Sequence, residues 1–493
     1  MKIARLLFIL LSAVVFVPFA RSQSGPDADA VTYEVEVQGS AATGAYTPFW
    51  IVGNRYGVVP LEAGNGYLRA RVDHRQSLGN GFHWAAGVDA LAVTPRYRNV
   101  YLQQLYAELG YKSLLLTVGS KEKYTSLWDR RLSSGDMIRS ANARPVPEIH
   151  ISIPEFLTVP STKGWLHFKG YMSVGRSFDE DYLNSFIRTD QVYIRNILRH
   201  DKSLTLRLRD SRSAFPAYFS FGISHTAQWG GASSGATARK QPQSIKDFLR
   251  VFCAMAGGEG ASLSDQVNVL GAHHISYNFQ VGFVKEKWEL RAYHQHIASD
   301  KSGVLFYNKA DGLWGIQADF RSFPLIRKVL TEYVTTRNQS GMFHFINFDH
   351  DAHPGRGGGA DDYYNNGEYK TGHTYFNRSE GSPLLVSPEY NEDGSLGFKS
   401  TRIRDIHFGM EGDISRQLSY RVLLTVMNGW GTPYRPFLKK QSGTSFLVEA
   451  NYAHPRLSGW AFTGAFGGDT GNVTGNRTYG FSLGVSKRGI LRY

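Results

Sequence analysis

Cysteine is almost missing from this chain. The 493 residues supply one, Cys253, so no intramolecular disulfide framework is available and the fold rests on hydrogen bonding and packing. Long apolar runs are missing as well. After Ala20 no uninterrupted stretch is long enough to cross a bilayer as a helix, and mean hydropathy is −0.30, which is unlike a helical membrane protein. Acidic residues are in deficit, 42 against 55 Lys and Arg, for a formal net charge of +13. Setting aside Lys2, Arg5 and Arg21 of the expected leader leaves +10. Such an excess favours acidic partners such as uronic-acid polysaccharide or lipopolysaccharide. No nucleic-acid motif accompanies the charge, which argues against nucleic acid as a partner.

What is present begins with a leader. Lys2 and Arg5 precede an apolar stretch from Leu6 to Ala20, and Ala20-Arg21-Ser22 offers a small-residue cleavage site. Residues 1–22 read as a Sec-type signal peptide and 23–493 as one exported domain, with no Cys at the junction to carry lipid. Glycine, at 52 residues, and aromatics, at 13%, suit many strands and loops.

The final segment, 478–486, reads Thr-Tyr-Gly-Phe-Ser-Leu-Gly-Val-Ser. It sets Tyr479, Phe481, Leu483 and Val485 on one face and small polar residues on the other. Alternation of this kind recurs in eighteen segments from 33–41 onward, an even number as in bacterial outer-membrane barrels. Counted back from the end, the connections alternate short and long, the long ones including 42–66, 119–147, 175–202, 226–274, 338–402 and 428–444. Charged residues occupy the polar faces: Arg69, Arg71, Asp73, Asp89, Arg207, Asp319, Asp405 and Glu411. A dry sandwich core would have to pair each of them, whereas a polar lumen hydrates them. The expectation is an all-β transmembrane antiparallel barrel of about 18 strands, with short periplasmic turns and long extracellular loops. One loop carries a helix, 245–256, headed by a Ser244/Asp247 capping box. Its Ile245, Phe248, Leu249 and Phe252 form a stripe expected to pack at the barrel mouth, with Cys253 buried.

Ordered motifs in these loops resemble the capsule assembly protein Wzi family in its Bacteroides-like form. They include Thr47-Pro48-Phe49-Trp50, Asn54-Arg55-Tyr56-Gly57, Leu132-Ser133-Ser134-Gly135 and Asn142-Ala143-Arg144-Pro145. Gln228-Trp229-Gly230-Gly231, Asp311-Gly312-Leu313-Trp314-Gly315, Tyr363-Tyr364-Asn365-Asn366-Gly367 and Asn428-Gly429-Trp430-Gly431 follow. The resemblance implies an eighteen-stranded outer-membrane barrel of a Gram-negative bacterium, a surface lectin that holds capsular polysaccharide, with no catalytic role. It departs from enterobacterial members, which open with a helical segment occluding the periplasmic end. Only about ten residues separate the cleavage site from the first strand, too few for that segment, so closure of the lumen is left open.

Aromatic and basic residues that would stack on sugar rings and pair with carboxylates concentrate in three loops. In 428–444 they are Trp430, Tyr434, Arg435, Lys439 and Lys440, with lipopolysaccharide contact as the competing reading. Elsewhere they are Trp128 with Arg130 and Arg131, and Tyr363, Tyr364 and Tyr369, for which intraloop packing competes. Gly231-Ala232-Ser233-Ser234-Gly235 matches a nucleophile-elbow pattern but lacks the helix that motif needs. His294 and His296, with His273 and His274, have the donors for zinc or copper but read as rim or lumen histidines without metal. Asp349-His350-Asp351 with His353, and Asp361-Asp362, read as solvated loop, although both sets have donors for a divalent cation. No cofactor, metal or enzyme activity is expected, and a monomer is. An outer-membrane solute channel is the alternative.

Overall fold

Each expected segment falls on a strand, and each strand hydrogen-bonds antiparallel to its neighbours. The computed structural model describes residues 30–491, except 96, 189, 211–214, 236–237, 342–358 and 476. The leader, the Asp349–His353 group and Asn476 lie outside the described residues. The strands are Ala30–Tyr46 (β1), Glu62–Gly79 (β2), Phe82–Thr94 (β3), Val100–Tyr111 (β4), Leu114–Ser120 (β5), Glu148–Thr158 (β6), Leu166–Arg176 (β7), Leu198–Leu208 (β8) and Ala217–Trp229 (β9). They continue as Ala272–Val284 (β10), Trp288–Ala298 (β11), Gly312–Phe320 (β12), Lys328–Thr335 (β13), Arg404–Asp413 (β14), Leu418–Gly431 (β15), Pro436–Ala453 (β16), Trp460–Gly471 (β17) and Thr478–Leu491 (β18). β18 pairs back onto β1, from Val31 opposite Leu491 to Ala42 opposite Gly480. The sheet is a closed barrel with no free edge.

Alternation sorts side chains to the two faces. Along β18, Tyr479, Phe481 and Leu483 point outward and are exposed, while Ser482 is buried inside. Leu204 and Leu206 on β8 and Phe219 and Ile223 on β9 continue this apolar outer belt. Most of the inward charges are paired, as an enclosed interior favours, while Arg207 donates to Ser220 and Gln280 and Asp405 accepts from Asn428 N–H. Arg69 meets Asp89 and Glu122, Arg71 meets Glu34 and Asp73, and Arg291 meets Asp319.

The end that carries the chain termini has tight connections such as 80–81, 112–113 and 285–287. The opposite end, the mouth, carries 47–61, 121–147, 177–197, 230–271 and 336–403. One expected long loop, 428–444, is corrected: β15 runs to Gly431 and β16 starts at Pro436, leaving 432–435 as a turn. Here the strands outrun the apolar belt, so their polar sequence loses the period-two signal while the ladder continues.

The loops do not all stay outside. Segments 47–61, 121–147 and 359–403 fold into the barrel and fill it. The helix Phe49–Val52 (α1) is wholly buried, with Trp50 Nε1 donating to Thr425 Oγ1 at 2.9 Å. Segment 121–147 reaches almost to the far end, where Asp129 pairs with Lys328, the first residue of β13, at 2.7 Å. Leu132, Met137, Leu384 and Leu385 form the centre of this plug. Small wall residues make room for it: a Cβ on Gly409 would come within 2.8 Å of Leu132 O, and one on Gly480 within 2.9 Å of Pro48 Cδ. Closure of the lumen is thus supplied by the mouth loops.

Four further helices, Glu180–Phe186 (α2), Ile245–Phe252 (α3), Leu263–Val267 (α4) and Lys301–Val304 (α5), lie in mouth connections. The capping box of α3 forms as expected, but the helix ends at Phe252. It packs against the outer wall near the mouth, through Phe248 on Trp229 and Val251 in a small core with Ala227, Ala261 and Leu270. The expected stripe is corrected too: Ile245 and Leu249 are exposed, because the wall meets the face bearing Phe248, Val251 and Phe252. Cys253, just past the helix end, is exposed rather than buried.

Candidate functional site

The expected binding residues divide between plug and rim. Trp128 is buried, its ring stacked on Tyr293 at 4.5 Å and its Nε1 donating to Gln295 at 3.3 Å. Arg130 lies over the Tyr56 ring at 5.0 Å, and Arg131 pairs with Glu411 at 2.8 Å, deep in the lumen. Tyr363, Tyr364 and Tyr369 are fully buried. Their hydroxyls are tied inside: Tyr363 accepts from Asn308 at 2.7 Å, Tyr364 donates to Met137 O, and Tyr369 donates to Gly230 O at 3.3 Å. Expected in outside loops, these two groups build the plug instead. The four rings are packed, and a buried ring has no face to offer a polymer, whereas Arg130 and Arg131 are exposed.

The hairpin residues stay at the surface. Tyr434, Arg435, Lys439 and Lys440 are exposed, and Trp430 is half-buried under the Arg337 guanidinium, 4.0 Å from its ring. Tyr434, pushed up to about 12 by burial and by Asp362, Asp361 and Asp300, leans over the mouth.

The histidines and acids are dispersed. His294 and His296 face outward near the mouth, stacked on Trp314 at 3.6 Å and on Phe306 at 4.2 Å. His273 is outward beneath α3, 2.8 Å from His225, whereas His274 faces the lumen beside His373. Asp362 accepts from Thr401 at 2.6 Å and Asn365 at 3.1 Å. Among the described residues no three His, Cys, Asp or Glu side chains are placed to hold a metal ion. Ser233 sits on a two-residue strand, Ala232–Ser233, paired with Ile194–Arg195, and no helix follows at 234–235.

Asp361 makes a testable point of its own. It is buried, accepts from Ser340 at 2.7 Å, and lies beside Asp300. Burial first, and Asp300 second, push its carboxyl up to about 8. A folded-state value above the unfolded one means that the fold holds a proton the open chain releases. The stabilisation is complete at low pH and is lost as pH rises from about 4 through about 8. Corrected for the base-catalysed intrinsic rate, hydrogen-exchange protection in 359–403 should therefore fall as pH rises from about 4 through about 8, and Asp361→Asn, which cannot ionise, should keep its protection across that range.

A cleft at the mouth gathers residues that the sequence reading did not single out. Its volume is about 240 Å³, and residues from 60–62, Tyr97, Tyr182, Phe186, Arg188, Arg378, Glu389 and Glu392 are among those that line it. One wall comes from α2, where Tyr182 and Phe186 stand four apart on one face. Their rings lie 6.0 Å apart, and Tyr97 packs edge-on to Tyr182 at 5.1 Å. The other wall is polar. Arg188 donates to Glu392 O at 3.0 Å, and Arg378 grips Glu389 through two hydrogen bonds of 2.7 and 3.0 Å. Arg378 Nη1 is buried with no hydrogen-bond partner among the described residues, an uncommon state for a guanidinium nitrogen. Apolar faces opposite donors and carboxylates suit a ligand with both ring faces and hydroxyls. The sequence signal was faint: an acidic start at Asp179-Glu180-Asp181 followed by aromatics at helical spacing.

Comparison with known proteins bears on this barrel. Among solved structures, Wzi of Escherichia coli, described as an outer membrane protein involved in group 1 capsule assembly and a carbohydrate-binding β-barrel, superimposes with a TM-score of 0.56. Identity is 12%, covering 92% of this chain and 83% of that one. Acinetobacter baumannii OccAB4 aligns at 9% identity and a TM-score of 0.47, over 95% of this chain and 100% of that one. No curated protein sequence matches. The family profile described as capsule assembly protein Wzi matches residues 37–384. That match runs from β1 through thirteen strands and into the last plug segment, well over half the chain, and this chain belongs to the capsule assembly protein Wzi family.

Proposed function

We propose that this protein is an outer-membrane lectin that binds capsular or exported polysaccharide at its mouth and holds it on the cell. The cleft beside α2 is the observation that carries the reading. Tyr97, Tyr182 and Phe186 offer ring faces for sugars. Arg188, exposed at the edge of the cleft, offers donors to hydroxyls or uronic carboxylates, and the buried Arg378 adds positive charge from beneath. The exposed hairpin residues Tyr434, Arg435 and Lys439 overlook the same mouth and extend the track for a chain longer than the cleft. Membership of a capsule assembly family and the net positive charge agree with an acidic polymer.

Each site would be weak, and retention would come from many barrels engaging one repeating chain. Export by the 1–22 leader, its cleavage and a monomeric barrel in contact with lipopolysaccharide complete the proposal. Deleting the gene and measuring cell-attached against shed capsule tests it. The expected outcome is polymer lost to the medium and restored by the intact gene. Unchanged attachment would overturn the assignment.

A further inference from the structure

The outer face of the rim, rather than the mouth, holds a second arrangement. β13 and β14 pair Thr335 with Arg404, and beyond them Arg402 Nε donates to Arg337 O at 3.3 Å. Ile403 bridges Gly429, which places Arg402 opposite Trp430, whose N–H donates to Arg402 O at 2.9 Å. Gly429 in turn faces Gln441, so Lys440 flanks Trp430 from β16. The result is a row across four adjacent strands or their extensions: Arg337, Arg402, Trp430 and Lys440, with Arg404 one step below.

Alternation sets the direction of this row. Arg404 shares a face with Ile406, and Trp430 with Leu424 and Val426, and those three apolar side chains are exposed on the outer belt. The cations therefore stand on the outside of the barrel, directly above the apolar band. Trp430 is the hinge between the two zones, with Arg337 at 4.0 Å and Lys440 Nζ at 5.9 Å from its ring.

Such a row is costly without an anion. Arg402 and Arg404 repel the Arg337 charge, and Arg337 Nε is buried with no hydrogen-bond partner among the described residues. Among the described residues none of the four cations pairs with a carboxylate, apart from the longer-range pull of Arg402 on Asp311. Neighbouring strands lie about 4.8 Å apart, so the ends of the row are about 14 Å apart. A disaccharide bearing a phosphate at each end spans that distance. Above a lipid-facing belt, the molecule with that chemistry is the headgroup of a phosphorylated outer-leaflet glycolipid.

We infer that Arg337, Arg402, Arg404 and Lys440, around Trp430, form a docking site for the phosphates of lipid A, outside the barrel and separate from the sugar cleft. The four cations supply charge-assisted hydrogen bonds, and Trp430 packs at the junction of headgroup and acyl chains. This inference rests on the outer-membrane placement proposed above. Polysaccharide capture is measured in parallel, so failure of one reading leaves the other distinguishable.

The test titrates delipidated full-length barrel, in detergent, with diphosphorylated lipid A, with its dephosphorylated form and with inorganic phosphate. Bound lipid is read by native mass spectrometry. Diphosphorylated lipid A should bind at least about tenfold more tightly than the dephosphorylated form, since every 1.4 kcal/mol of lost interaction is a factor of ten. The Arg337→Gln/Arg404→Gln/Lys440→Gln variant should lose that difference, whereas Lys285→Gln/Lys287→Gln at the opposite end should keep it. Heat-modifiable mobility on gels confirms that each variant is a folded barrel. Equal binding of the two lipids, or a rim variant that binds like the parent, overturns the inference. So does inorganic phosphate binding as well as lipid A. A rim variant that keeps lipid A but loses purified capsular polysaccharide would reassign the row to the polymer, also against the inference.

Discussion

Replacing Glu332 by alanine should turn a closed barrel into a conducting one. The Glu332 carboxylate on β13 faces the lumen and accepts four hydrogen bonds: Ser133 Oγ at 2.7 Å, Ser134 N at 2.7 Å, Ser134 Oγ at 2.6 Å and Tyr293 OH at 2.6 Å. Three of these donors belong to the plug segment 121–147, and the site is buried. Each buried donor left without an acceptor costs about 1–3 kcal/mol, so the seated position of that segment is destabilised by several kcal/mol. The native protein should be nearly silent in planar bilayers, and Glu332→Ala should show single-channel steps. A variant as silent as its parent would mean that other contacts hold the plug. Steady conductance in the native protein would favour the solute-channel alternative.

The second large effect concerns the cleft. Tyr182→Ala combined with Phe186→Ala should weaken binding of purified capsular polysaccharide about tenfold or more. Aromatic contacts are worth about 0.5–1.5 kcal/mol each beyond the area they bury, and 1.4 kcal/mol is a factor of ten. Along a repeating chain the loss compounds, so cells carrying the variant should shed polymer. The hairpin variant Tyr434→Ala/Arg435→Ala/Lys439→Ala is the informative comparison. If it loses binding while the α2 variant does not, the hairpin is the site and the cleft is packing. Isothermal titration in detergent separates the two.

The barrel was legible in the sequence because it is a local signal repeated. Tyr479, Phe481 and Leu483 against Gly480, Ser482 and Gly484 state the two faces of β18 without help from the rest of the chain. Inward charges such as Arg69 and Asp89 stated that the interior is polar. Two things were not legible. The ends of β15 and β16 pass beyond lipid, where nothing selects apolar residues, so 428–444 read as a loop. The fate of the mouth loops is set by tertiary contacts alone. Trp128, Tyr363 and Tyr364 look alike whether they meet sugar or Gln295, Asn308 and Met137, and only distant wall residues decide. The cleft escaped notice for the same reason: Tyr97, Tyr182 and the pair Arg378 and Glu392 come from three separate connections.

The inward course of the 47–61 segment bears on how the molecule is made. Phe49 N–H donates to Asp469 at 2.9 Å, Trp50 reaches Thr425, and Arg55 pairs with Glu449. The first stopper in the chain thus finds its seats on strands near the chain's end. Until those strands are in place, Phe49, Trp50 and Arg55 have no seat and the interior stays wet. Drying of the interior is consequently the closing act of biogenesis, and with so many sequence-distant contacts it should be a slow one. A barrel truncated before β17 would remain a leaking intermediate, exposed to periplasmic proteases, rather than a smaller version of the finished protein.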